Sequence, residues 1–114
     1  MAIQVTGFFP NPNNDSYVKD TVITLNVKQV PMGRLDVECQ LTVEKEVTTP
    51  STNVATTQLV PVSQFTVNNI DRSLLTFNDD ITDPYEKLLD GVQTYLMAKF
   101  GDENPDVTLG VYEA

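Results

Sequence analysis

Histidine and tryptophan are absent, cysteine occurs once, as Cys39, and seven basic residues face sixteen acidic ones over 114 positions. Each shortage closes a class of function. With no His and a single Cys, neither an internal disulfide nor an ordinary Cys/His zinc site forms, and a Ser or Cys nucleophile has no imidazole beside it. Cys39 itself alternates in phase with Val37 and Leu41, the place of a small core hydrophobe. The five glycines stand apart at 7, 33, 91, 101 and 110, so no phosphate-cradling loop or dinucleotide fingerprint exists. No run approaches ~18 apolar residues, and the opening Met1-Ala2-Ile3-Gln4-Val5-Thr6 lacks the basic start and apolar stretch of a signal peptide. The expectation is a chain without a membrane span in a cytosol-like compartment, needing no cofactor and not an enzyme.

The shortage of bases is also uneven. Residues 1 to 78 hold seven acids and five bases, whereas residues 79 to 114 hold nine acids and two bases, for a net charge of −9 overall. Nucleic-acid binding runs on counterion release by clustered Lys and Arg, so direct DNA or RNA binding is not expected. Apolar residues at 40% and charged residues at 20% suit a folded globule, and the length suits one domain over 1–114.

What is present is mostly alternation. Leu35, Val37, Cys39, Leu41, Val43 and Val47 interleave with Asp36, Glu38, Gln40, Thr42, Glu44 and Glu46, the period of a half-buried strand. Thr21, Ile23, Leu25 and Val27 show the same period just upstream. A three-residue loop at Pro31-Met32-Gly33 pairs Val30 with Arg34 and sets Val27 against Val37, Leu25 against Cys39, Ile23 against Leu41 and Thr21 against Val43. Pro suits the first position of a type I turn and Gly the left-handed third. Lys28 then opposes Asp36 as a cross-strand ion pair. This long hairpin, about residues 21–47, exceeds the body: residues 35 to 47 in one strand reach about 43 Å, against about 34 Å for a compact domain of this size. Its far end must bend, stop early or project.

Ile3 to Phe9 reads as a first strand ended by the turn formers Pro10-Asn11-Pro12-Asn13-Asn14-Asp15, with Phe8 and Phe9 pointing to opposite faces. Thr48 to Gln58, uncharged and rich in Thr and Ser, reads as a mobile loop. Leu59 to Val67 and Ser73 to Phe77 read as strands, the first at a sheet edge because of Pro61. One amphipathic helix, about residues 84–100, starts at the cap Asp83 with Pro84 and Glu86, carries the stripe Tyr85, Leu88, Leu89, Val92, Leu96 and Phe100, and stops at Gly101. Val107, Leu109 and Val111 close the chain as a short strand. The order gives an α+β fold with a mainly antiparallel β-sheet or sandwich.

Asp102, Asn104 and Asp106, with Glu113 at position 12, have calcium-loop spacing, but Val107 stands where Gly is needed, Pro105 interrupts, and no second helix follows. A polar turn is the better account, and no metal ligand is assigned. The Asn78-Asp79-Asp80-Ile81-Thr82-Asp83 cluster is better used as a helix entry.

A long hairpin, an uncharged loop, an amphipathic helix and no catalytic set suit an assembly subunit that reaches onto neighbouring copies or other proteins. Interface residues expected on that basis are Asp36, Glu38, Glu44, Glu46, Pro31 and Met32. The opening MAIQVTGFFPNPN, the hairpin before a lone helix at DPYEKLLDGVQTYLMAKF, and the short acidic leaderless chain resemble the small virion proteins of tailed bacteriophages: tail, neck, baseplate or capsid-decoration subunits. That resemblance implies a structural part of a virion, assembled in the host cytoplasm, whose partners are further copies or other virion proteins; in tail-tube subunits a long hairpin lines a ring with an acidic lumen. The rival from the residues is a small β-rich module binding carbohydrate or protein through Asn11–Asp15 and Thr48–Gln58, although stacking aromatics are scarce. A third is a regulatory inhibitor whose acidic C-terminal third mimics nucleic acid.

Overall fold

A computed structural model describes residues 2–112. Seven strands and one helix are built: β1 (Ala2–Thr6), β2 (Phe8–Pro10), β3 (Tyr17–Lys19), β4 (Val22–Val30), β5 (Arg34–Thr49), β6 (Val54–Asp71), α1 (Pro84–Glu103) and β7 (Thr108–Val111). Five strands form one sheet in the order β6-β5-β4-β1-β7, and β2 and β3 form a separate ribbon. Every pairing is antiparallel. The α+β architecture read from the sequence is the one observed.

The β4–β5 hairpin has the expected register, Val30 against Arg34, Val27 against Val37, Leu25 against Cys39 and Ile23 against Leu41. Its apolar face carries Ile23, Leu35, Val37, Cys39 and Leu41, all fully buried beneath the helix stripe of Leu88, Val92, Leu96 and Phe100 together with Ile3 and Val5 of β1. The buried Gln93 amide donates to the Ala2 carbonyl at 2.8 Å, fixing the helix over the start of β1. Asp83 caps the helix as expected, accepting from the N–H groups of Tyr85 and Glu86 at 2.8 and 3.2 Å.

Several expectations are corrected. The first strand is broken at Gly7, whose φ of +112° only glycine adopts readily, so Phe8 turns out to solvent under the Lys19 ammonium while Phe9 enters the core. Gly101 does not stop the helix, which runs to Glu103 and ends where Asn104 turns back its N–H and its side-chain amide onto the Phe100 carbonyl. Within the stripe, Tyr85 is exposed and does not join the core. Ser73 to Phe77 is no strand: Asp71 accepts from the Ser73 N–H at 3.0 Å and winds Arg72–Leu74 into a 3-10 turn. In the β4–β5 turn, Met32 joins Gly33 at positive φ (68° and 69°), so a type I turn with a single left-handed residue does not form.

The largest correction concerns Thr48–Gln58, which is no mobile loop. It forms the distal half of a second and longer hairpin, β5–β6, reversed at Pro50–Asn53 with Asn53 at a φ of 53° and its N–H on the Thr49 carbonyl at 2.8 Å. The hairpin partner expected over residues 21–47 therefore ends early on one side: β4 begins at Val22 opposite Thr42, and beyond Thr42, among the described residues, only β6 pairs with strand β5. From Glu44 to Gln58 every residue is exposed. The molecule spans 50 × 35 × 24 Å with a radius of gyration of 15.7 Å, above the ~13 Å expected for a compact chain of this length. The far end of β5 projects as an arm.

Candidate assembly interface

The arm is rooted by two buried threonines. The Thr21 hydroxyl donates to the Thr42 carbonyl at 2.7 Å, and the Thr42 hydroxyl donates to the Val22 carbonyl at 2.6 Å, where β4 leaves β5. Both threonines are buried, and these bonds give their hydroxyls the partners that polar groups removed from water require. Beyond the root, the β5–β6 register pairs Val43 with Val60, Lys45 with Gln58, Val47 with Thr56 and Thr49 with Val54 on the helix side. Glu44 with Leu59, Glu46 with Thr57 and Thr48 with Ala55 lie on the opposite side.

The outer edge of β6 is treated unevenly. Near the body it is blunted by Pro61, by a bulge between the pairs Leu41–Ser63 and Thr42–Pro61, and by a second bulge at Asn68–Asn69. Asn69 sits at a φ of 62° and its N–H is held by Asp36 at 2.9 Å. Asn13, from the turn after β2, bonds the Ser63 hydroxyl and donates to the Gln64 carbonyl at 3.2 Å, covering that stretch of edge. From Val54 to Val60 there is no Pro, no bulge and no charge.

The six expected interface residues do not form one cluster. Pro31 and Met32 lie exposed at the β4–β5 turn, Met32 at 95%. Asp36 and Glu38 lie half-buried on the polar face of the body, and Glu44 and Glu46 lie exposed on the arm. Asp36 serves the Asn69 bulge, and the ion pair expected between Lys28 and Asp36 forms instead on the diagonal, Lys28 Nζ to Glu38 Oε1 at 2.6 Å. Glu44 raises the pKa of the Tyr112 hydroxyl, by hydrogen bonding first and then by its charge. Sequence reasoning missed the bare edge Val54–Val60; its available signal was the turn cluster Pro50-Ser51-Thr52-Asn53 between two Thr- and Val-rich runs.

Lys28 holds Glu38 below the usual carboxylate range, through the hydrogen bond first and its charge second, and the Ser73 N–H does the same for Asp71. Carboxylates depressed in the folded state stabilise it above their unfolded pKa and lose that contribution as pH falls through the folded value. Stability should therefore decline below about pH 4. Glu38→Gln should flatten the decline of the urea midpoint with pH over the acid range; an identical profile would exclude a part for this pair.

One further concavity is open, a cleft of about 390 Å³ lined by Phe9, Pro10, Pro12, Phe65, Phe100, Glu103 and Asn104. Its aromatic floor is built by edge-to-face contacts of Phe100 with Phe9 and Phe65, at 5.6 and 5.9 Å between ring centres. The residues with calcium-loop spacing, read above as a polar turn, lie at the helix end: Asp102 in the last helical turn and Asn104 as its cap, while Glu113 lies outside the described residues. Among the described residues no group of three or more acidic or Cys side chains is placed to hold a metal ion, and no helix is long and apolar enough to cross a membrane. Comparison of the chain with protein-family models, with curated proteins and with solved structures gives no match.

Proposed function

We propose that this protein is a non-enzymatic assembly subunit that joins neighbouring copies or other structural proteins through its projecting β5–β6 arm. The observation that carries the reading is the arm itself: a two-stranded ribbon, exposed from Glu44 to Gln58, to which no third strand is added among the described residues. An isolated two-stranded hairpin is marginal in water and gains stability when a third strand or a covering surface is added. A body that extends such a ribbon past its own core has built a contact element for another molecule. The resemblance to small virion proteins of tailed bacteriophages supplies the setting, a virion part assembled in the host cytoplasm, with no direct contact to nucleic acid and no membrane anchorage.

Sedimentation velocity near physiological salt should show a defined oligomer whose population rises with concentration. A sharp monomer at every concentration, unchanged by neighbouring-gene products, would remove the reading. Capsid, portal or tail-sheath reading frames on either side of the gene would support the virion setting.

A second reading, a small binding module, draws on the aromatic cleft at Phe9, Phe65 and Phe100. Specific, saturable capture of one glycan by a monomer would favour it over assembly.

A further inference from the structure

A strand edge exposed to solvent is a template for another strand, and proteins that stay single defend it with charge, proline, bulges or brevity. The chain uses all four devices, but not everywhere. At one end of the sheet β7 is only four residues long. Along the body half of β6 stand Pro61, two bulges and the Asn13 latch. On the arm, the free side of β5 carries Glu44, Lys45 and Glu46 in succession. The free side of β6 from Val54 to Val60 carries none of these, and it lies within a run, residues 47 to 70, that holds no charged residue in a chain whose charged fraction is 20%.

The bare segment reads Val54-Ala55-Thr56-Thr57-Gln58-Leu59-Val60. Laid antiparallel on a second copy of itself about a two-fold axis through Thr57, it matches like with like. Val54 falls opposite Val60, Ala55 opposite Leu59, Thr56 opposite Gln58, and Thr57 opposite its own equivalent. Apolar side chains meet apolar ones, hydroxyl meets amide or hydroxyl, and no pair sets like charges against each other. Such an interface is isologous and closes on two copies. It also repairs the arm: two marginal ribbons become one four-stranded sheet, with Val43, Val47, Val54 and Val60 of each copy on one face. Among the described residues, the acids after position 78 lie in or beside helix α1, not on this edge.

We infer that Val54–Val60 is a self-pairing edge through which two copies of this chain join, arm to arm, in an antiparallel β-sheet about a two-fold axis at Thr57. The inference rests on the assembly reading above and specifies its contact.

Thr57→Glu sets two carboxylates across the axis, each beside its own Glu46, on an exposed residue whose change leaves the core untouched. It should weaken self-association at least tenfold in sedimentation equilibrium, whereas Thr52→Glu in the arm's turn should not. Thr57→Cys should form an intermolecular disulfide under mild oxidation and Ser51→Cys should not; the native Cys39 is buried, with its thiol pushed up to about 12, and does not compete. In the unmodified protein, backbone amides within 54–60 should gain hydrogen-exchange protection as concentration rises. An oligomer that survives Thr57→Glu, with no concentration-dependent protection at 54–60, overturns the edge pairing and leaves assembly standing. Open-ended growth overturns the two-fold closure. A monomer at all concentrations overturns both readings.

Discussion

Phe100→Ala should lower folding stability by about 3–5 kcal/mol, the range for removing a large buried aromatic side chain. For a chain of this size that is roughly 10–20 °C in Tm, and a large share of the ~5–15 kcal/mol a domain possesses. The ring is 3% exposed and meets Phe9 and Phe65 edge-to-face. These three residues come from the start, middle and end of the chain, so the ring ties the β2–β3 ribbon, strand β6 and helix α1 at one point. Phe100→Leu keeps most of the volume and should cost well under half as much. Thermal and urea unfolding of both variants check this; a loss below about 1.5 kcal/mol for the alanine variant would mean that the neighbouring cleft collapses into the space.

Excising the arm should have the opposite profile, a small effect on folding and a large one on association. Deleting Glu44 to Leu59 and joining Val43 to Val60 through Asn-Gly places a favoured two-residue hairpin turn across a pair that already faces each other. The threonine clamp at Thr21 and Thr42 and the whole helix-covered core remain. The shortened protein should unfold within roughly 5 °C of the parent, since few buried contacts leave with the arm. Its radius of gyration in solution scattering should fall from 15.7 Å toward ~13 Å. Self-association should drop below detection at concentrations where the full chain is assembled. Unchanged association would move the contact to the body, and failure to fold would show that the arm stabilises the sheet it extends.

The parts of the fold that bury one face were legible in the sequence, and the arm was not, for a single reason. Burial on one side imprints a period of two, and Leu35, Val37, Cys39 and Leu41 carry it so clearly that register and loop length followed from pairing like with like. Asp83 and Pro84 located the helix start because unsatisfied N–H groups there demand a cap. On the arm, both faces meet solvent, so no hydrophobic period distinguishes Thr48–Gln58 from a loop. The same blindness hid the candidate interface: the acids read as contact residues are distributed between a bulge, an intramolecular ion pair and the arm, while the segment proposed above as the contact carries no charge at all. Gly101 misled because glycine ends helices often, yet here a Cβ at that position would touch only Leu109 at 3.6 Å, and the helix passes through to the Asn104 cap.

The pairing of β1 with β7 bears on the order in which the molecule is made. Ile3 lies opposite Val111 and Tyr112 donates to the Ala2 carbonyl, contacts between positions more than a hundred residues apart. The meander β4–β5–β6 joins neighbours in the chain and can zip as it leaves the ribosome, whereas β1 must wait, one flank unsatisfied, until residues 108–111 have been synthesised. Closing this flank of the sheet joins residues of very large sequence separation, the kind of contact whose loop-closure cost is met late in folding, and a nascent chain stalled before that point offers β1 to whatever strand or chaperone arrives first.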